Sequence, residues 1–91
     1  MSQPFLLDAL AVGHSACVAG VEAQPAMRRR LLDIGLIPGT WVTCVAKSPA
    51  GDPSAYLIRG AVVALRRSDA RGIRMEAPAY VPGVHRDMAL V

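Results

Sequence analysis

The stretch that decides the fold of this chain covers positions 28–42 and reads RRRLLDIGLIPGTWV. Leu31 and Ile34 follow Met27 at helical spacing, so the three side chains share one face of an α-helix. Gly35 comes directly after this periodic run, where a left-handed backbone ends a helix without a Cβ clash. The pattern predicts a helix whose apolar face packs on a core and whose last turn ends at Gly35.

The residues around that glycine predict how the helix joins the next strand. Pro25 can occupy the first helical turn, where its missing N–H costs nothing. At the other end, Leu36 would contact Leu31, the apolar pair that accompanies a Schellman stop. Pro38-Gly39 prevents the helix from resuming and predicts a turn, and alternation from Trp41 onward begins a strand. The stretch therefore predicts a helix-to-strand corner.

Composition places the chain among small single-domain proteins. It has 91 residues, 53% hydrophobic and 19% charged, without the run of about 20 apolar residues that a membrane helix needs. Asp8 interrupts the apolar run near the N-terminus, so no secretory signal is predicted, and we expect a soluble, cytoplasmic protein without membrane insertion. The formal charge of +3 is modest, and one Trp, two Tyr and one Phe offer few stacking groups, which argues against nucleic-acid binding.

The remaining chain predicts short strands separated by turn signals. A mainly β fold is therefore expected: a small SH3-like barrel of about five antiparallel strands, with one α-helix after the first strand and a short helical turn before the last. We therefore expect a single domain over residues 1–77. The tail over 78–91 is expected to be extended, draped or mobile. The predicted strands are Ala16–Glu22, covered on both sides, Thr40–Ser48, Ser54–Arg59, Ala61–Leu65 and Ile73–Ala77; Ser68–Gly72 is the helical turn, capped by Ser68.

Three blocks of the sequence resemble the FeoA family, small cytoplasmic proteins of bacterial ferrous-iron uptake. They are Arg30–Gly39 followed by Val42, Ser48–Pro53, and Ala64–Ala70 before Ile73. The resemblance implies an SH3-like barrel and a non-enzymatic accessory role that supports FeoB, the membrane ferrous-iron transporter, by binding its cytoplasmic part. It also implies kinship with the barrel domain of DtxR-type repressors. That kinship keeps an alternative open, a metal-responsive regulatory module that binds a divalent transition metal.

Catalytic and metal chemistry find little support in the residue pattern. No catalytic residue is predicted, and no glycine-rich phosphate loop occurs, so G-protein activity would belong to a partner. Cys17 and Cys44 lack a CxxC arrangement and are interpreted as small strand residues, with a disulfide between them left open. His14 and His85 are weak surface candidates for metal. We expect no firmly bound cofactor, although transient ferrous iron, or zinc at a surface contact, stays open.

Two groups of residues are candidates for partner binding. Successive helical residues are about 100° apart, so the arginines before the helix stop fan over its solvent side. One interpretation is that they form a solvated basic face without a partner. The other is that they attract an acidic partner surface or the anionic inner leaflet of the membrane electrostatically. An apolar group after the stop is the second candidate. The predicted partner-binding residues are Arg28, Arg29, Arg30, Ile37, Pro38 and Trp41. A weak homodimer and a peripheral position at the inner membrane, reached through the partner, stay open.

Overall fold

The computed structural model describes residues 5–76, so the tail over 78–91 lies outside the described residues. Six antiparallel strands form one sheet in the order β1-β6-β2-β3-β4-β5, which confirms the mainly β prediction and adds one short strand at the start. The strands are β1 (Phe5–Leu6), β2 (Ser15–Val21), β3 (Trp41–Lys47), β4 (Ser54–Ile58), β5 (Ala61–Leu65) and β6 (Ile73–Met75); the helices are α1 (Pro25–Ile34) and α2 (Arg67–Ala70). A 3₁₀ turn, Leu7–Ala9, follows β1.

Strand β2 bends the sheet around the core. Its first part, from Ser15 to Cys17, pairs with β3, whereas Val18 to Val21 pairs with β6. The register with β6 shifts between Val18 and Gly20, which is the signature of a bulge. Because a bulge bends its strand and increases the local twist, one strand can serve two partners that lie in different directions.

The core is made almost entirely of apolar side chains from the inner face of this bent sheet, from one side of α1, and from the segments around the 3₁₀ turn, the helix stop and α2. Leu31 is the buried residue of α1, while Met27 and Ile34 pack against the core from the helix edges. This arrangement confirms the face predicted from the spacing of the three residues. The largest fully buried side chains are Tyr56, Leu7, Leu10, Leu31, Leu36, Ile58, Ile73, Val18, Val42 and Cys44.

The end of α1 has the predicted Schellman geometry. Gly35 has φ 115°, in the left-handed region, and its N–H donates to the carbonyl of Leu32 at 3.0 Å. The N–H of Leu36 donates to the carbonyl of Leu31 at 3.1 Å, and both of these leucine side chains are buried. Pro25 is the first residue of the helix, as its missing N–H predicts. The stop therefore connects α1 to the core through an apolar contact as well as through backbone hydrogen bonds.

Two predictions about the strands differ from the structure: where the strand from Ser54 ends, and how far the strand from Ala16 is covered. The strand expected over Ser54–Arg59 ends at Ile58, because Arg59 and Gly60 have φ of 50° and 85° and form the hairpin turn together. The first strand, expected to be covered on both sides, has Ala16 and Val18 buried but Cys17 only half-buried. One face of β2 is therefore partly accessible to solvent.

The cap of α2 also differs from the sequence-based prediction. Ser68 was expected to cap the helical turn, but the structure begins α2 at Arg67 and gives no cap hydrogen bond from the residue before it. Instead, the N–H of Arg67 donates to Oδ1 of Asp52 at 2.9 Å, from the loop between β3 and β4. A carboxylate at this position accepts from an N–H that the helix itself cannot satisfy. Asp52 therefore fastens that loop to α2.

Replacing Asp52 by alanine is expected to lower the free energy of unfolding by about 0.5–1 kcal/mol, because the cap of α2 and the tie to the loop are lost together. Chemical denaturation measures the change. Ser68→Ala is the matched control and should leave stability unaltered. If the two substitutions have equal effects, Asp52 does not act as the cap.

Candidate partner-binding surface

The apolar candidates Ile37, Pro38 and Trp41 lie together at the corner between α1 and β3. The N–H of Thr40 donates to the carbonyl of Ile37 at 3.0 Å across Pro38-Gly39, and Gly39 has φ 94°, as a type II turn requires. Ile37 is 40% exposed and Trp41 59% exposed. The corner therefore leaves both apolar side chains accessible to solvent.

Hydrogen bonds to β2 hold this corner in place. The N–H of Gly39 donates to the carbonyl of Val18 at 2.9 Å, and the N–H of Val18 donates to the carbonyl of Thr40 at 2.8 Å. Leu36, directly before the turn, is fully buried. The exposed side chains are therefore displayed on a backbone that is fixed from both sides, which limits the conformational entropy that binding would remove.

Arg59 is a basic neighbour of the corner that sequence analysis missed. A Cβ placed on Gly35 would lie 2.7 Å from Cδ of Arg59, so the stem of this arginine covers the helix stop. Ile58, the last residue of β4, pairs with Val42, so Arg59 leaves the strand at the end of the sheet where β3 begins. The signal that could have found it is the Arg59-Gly60 pair, which is typical of a two-residue hairpin turn rather than a strand end.

The three predicted arginines do not form one surface. Arg28 and Arg29 line a shallow cleft with Pro25 and Leu32 on one side of α1. Arg30 lines a different cleft, across which it meets residues that follow β5, including Arg66. All three arginine side chains are exposed. The structure therefore joins the apolar candidates at one corner but divides the arginine fan between two clefts.

A further surface, the outer face of the sheet, is continuous with Trp41. Strand pairing aligns its side chains in rows across β2, β3, β4 and β5, such as Ser15, Thr43, Leu57 and Val62, and none of them is charged. Val62 is 65% exposed. The outer face comprises Ser15, Cys17, Trp41, Thr43, Ala46, Ala55, Leu57, Val62 and Ala64. Sequence analysis missed this face because apolar residues on both sides of a strand predict burial on both sides.

The two cysteines lie on opposite sides of the sheet. Cys17 pairs with Trp41 on the outer face, whereas Cys44 pairs with Tyr56 on the core side, and both thiols are free. The disulfide that the sequence left open is therefore absent.

Burial raises the pKa of the Cys44 thiol and the pKa of the Tyr56 hydroxyl, since a charged form would be poorly solvated in the core.

The described residues do not bring metal ligands together. Over 5–76, no group of three or more His, Cys, Asp or Glu side chains is placed to hold a metal ion. His14 lies exposed in the turn before β2, and His85 lies outside the described residues. Within the same range, no helix is long and apolar enough to cross a membrane.

Comparison with known proteins gives a consistent family assignment. A curated relative, the Fe(2+) transport protein A/Fe(2+) transporter FeoB fusion protein of Porphyromonas gingivalis, is 37% identical over 70 residues, covering 77% of this chain and 8% of the fusion protein. The solution structure of Chlorobium tepidum FeoA aligns with a TM-score of 0.77 at 36% identity, covering 89% of this chain and 77% of that one.

Two further structures extend the comparison. The crystal structure of Stenotrophomonas maltophilia FeoA complexed with zinc, a prokaryotic SH3 domain protein, aligns with a TM-score of 0.73 at 34% identity over 80% of this chain and 91% of that one. A manganese-dependent transcriptional repressor shares the fold alone, with a TM-score of 0.75 at 22% identity over 87% of this chain and 43% of that one. The FeoA domain model matches residues 5–77, and this chain belongs to the FeoA family.

Proposed function

We propose that this protein is a non-enzymatic accessory protein of ferrous-iron transport, which binds the cytoplasmic region of a FeoB transporter and supports its activity. The observation that carries the proposal is the Porphyromonas gingivalis fusion, in which a segment similar to this chain is joined to a FeoB transporter. Covalent linkage keeps two parts at high effective concentration. A chain that is not joined to the transporter would need its own binding surface to obtain the same proximity.

The binding surface that we propose is the corner formed by Ile37, Pro38 and Trp41, assisted by the arginines of α1. Trp is frequent among interface residues that dominate affinity, and arginines raise the rate of encounter with an acidic surface. Binding can alter transport only when the accessory protein binds one conformation of the transporter better than another. We further propose a peripheral position at the inner membrane that depends on this contact.

Substitution of Trp41 by alanine is expected to weaken binding to detergent-solubilised FeoB at least tenfold, a change of about 1.4 kcal/mol. The side chain is 59% exposed, so its removal should leave the fold intact. Val45→Ala is the matched control, because Val45 is also an exposed apolar residue of β3. Unchanged affinity of Trp41→Ala, with an unchanged circular dichroism spectrum, would remove the corner from the binding surface.

The arginines are tested in two groups because they line two clefts. Arg28→Glu combined with Arg29→Glu reverses the charge of one cleft, and Arg30→Glu reverses that of the other. Each variant is expected to weaken binding to FeoB. Arg71→Glu matches the charge change of Arg30→Glu, and Arg71→Glu combined with Lys47→Glu matches that of the double variant, since Arg71 and Lys47 are exposed and lie outside α1. If these controls weaken binding as much as the α1 variants do, the arginines act only through net charge and not as part of a defined site.

A second candidate function is a metal-responsive regulatory module for a divalent transition metal. The zinc complex of Stenotrophomonas maltophilia FeoA favours it, because that relative is 34% identical to this chain. Anaerobic calorimetric titration of the full chain with ferrous iron or manganese separates the two functions. A saturable, stoichiometric site supports the regulatory module, whereas absence of metal binding together with retained FeoB binding supports the accessory protein.

A further inference from the structure

Strand β5 is an edge strand with an unusual composition. Ala61–Leu65 pairs with β4 on one side, and no other strand within residues 5–76 pairs with its second side. Edge strands are commonly protected against pairing by a charged residue, a proline or a bulge. β5 has none of these, since its sequence is AVVAL and its register with β4 is continuous. Among the described residues, nothing pairs with its second side, which is therefore available for the addition of another strand.

The hairpin turn defines which backbone groups are available. In a two-residue hairpin, the residues that flank the turn form a hydrogen-bonded pair, here Ile58 and Ala61. Hydrogen bonding alternates along an antiparallel ladder, so Ala61, Val63 and Leu65 bond to β4. Val62 and Ala64 therefore direct their N–H and C=O groups away from β4, and a new strand would bond to these groups.

The charges at the two ends of β5 determine which strand fits. Arg59 precedes the strand and Arg66 follows it, and both side chains are exposed. Beyond Ala64, Arg66 and Arg30 line a cleft of about 480 Å³ together with Ser68 and Asp69. Two arginines against one aspartate leave this cleft net positive. An uncharged strand with net positive charge near both ends complements an extended segment that is apolar in the middle and acidic at both ends.

A second copy of this chain fits the same edge poorly. Symmetric antiparallel pairing about Val63 would align all five residues of β5, but it would bring the turn containing Arg59 of each copy toward the Arg66-Arg67 end of the other copy. Like charges that approach each other at an interface are unfavourable. The charges at the strand ends therefore favour an acidic partner segment over self-association.

We propose that β5 is a strand-addition site for an extended partner segment of about five residues with an apolar, uncharged centre and acidic residues at both ends. Backbone hydrogen bonds to Val62 and Ala64 supply the affinity, as in other cases where an extended segment is added to a sheet edge. The acidic residues, paired with Arg59 at one end and with Arg66 and Arg30 at the other, supply the selectivity. This inference does not depend on the proposed FeoB binding, and its test requires no transporter.

The test uses the full chain labelled with ¹⁵N and two synthetic peptides. Both have a core of alternating valine and threonine; one carries two aspartates at each end and the other carries two lysines at each end. The acidic peptide is expected to shift the amide resonances of Val62 and Ala64, to slow their hydrogen exchange at least tenfold, and to bind at least tenfold more tightly than the lysine peptide. Equal affinity of the two peptides, or resonance shifts confined to α1, would overturn the proposal.

Two variants complete the experiment. Ala64→Pro removes an N–H from the free edge without removing a hydrogen bond to β4, and it is expected to abolish binding. Arg66→Glu, which leaves the strand itself unaltered, is expected to reduce the preference for the acidic peptide at least fivefold, whereas Arg71→Glu should retain it. Three outcomes would contradict the proposal. The first is an unchanged preference of Arg66→Glu for the acidic peptide over the lysine peptide. The others are concentration-dependent dimerisation of the free protein through β5, and no binding of the acidic peptide at millimolar concentration.

Discussion

Replacing Leu31 by alanine is expected to reduce the free energy of unfolding by about 2–5 kcal/mol, a large part of the total stability of a small domain. Leu31 is 1% exposed and is the one fully buried residue of α1. It also contacts the helix stop, since its carbonyl accepts the N–H of Leu36. The substitution removes apolar contacts from the helix and leaves a cavity where α1 meets the sheet.

The next residue along the helix supplies the control for this experiment. Leu32→Ala makes the same chemical change in the same turn, so the change in helix propensity is nearly equal. Leu32 is only half-buried and lines the cleft beside Arg28. Urea denaturation of both variants should give a loss for Leu31→Ala at least twice that for Leu32→Ala. Equal losses would show that burial on the predicted helix face is not what stabilises the corner.

The second large effect is expected for Gly35→Ala. At φ 115° an alanine is strained, and we expect a loss of about 1–3 kcal/mol in the free energy of unfolding. The new Cβ would also lie 2.7 Å from Cδ of Arg59, so this flexible side chain must move away from the helix stop. Thermal or chemical denaturation measures the stability, and a neutral substitution would contradict the left-handed stop.

Gly39→Ala separates strain from steric contact in this experiment. Gly39 has φ 94°, but a Cβ added there would meet no atom within 4 Å. A stability loss in both variants identifies backbone strain as the common cause. A chemical-shift change at Arg59 in Gly35→Ala alone would identify the contact, because only that substitution displaces the arginine.

Local patterns predicted the part of the fold that depends on local chemistry. The helix, its stop and the following turn all depend on residues within a few positions of Gly35, and each was predicted correctly. The short strand β1 was not, because Phe5–Leu6 becomes a strand only by pairing with β6, which lies at the other end of the described chain. The cap of α2 was missed for the same reason, since Asp52 comes from a separate loop.

The candidate surface was predictable to a smaller extent. Exposure of Ile37 and Trp41 follows from a helix stop and a turn, and both residues are exposed as expected. The division of the arginines was not predictable, because it depends on how α1 lies against the chain after β5. The proximity of Arg59 to the helix stop likewise depends on strand register, which periodicity alone does not give.

The placement of the two cysteines has a practical consequence for solution studies. Cys44 lies in the core, where its thiolate is disfavoured, whereas Cys17 is half-exposed on the outer face. A thiol-reactive dye should therefore label the native protein at one position without any mutation. Cys17 lies across the strand pair from Trp41, the single tryptophan of the chain, so the dye would form an energy-transfer pair with it. The wild-type sequence thus already contains an optical reporter beside the surface proposed to bind a partner.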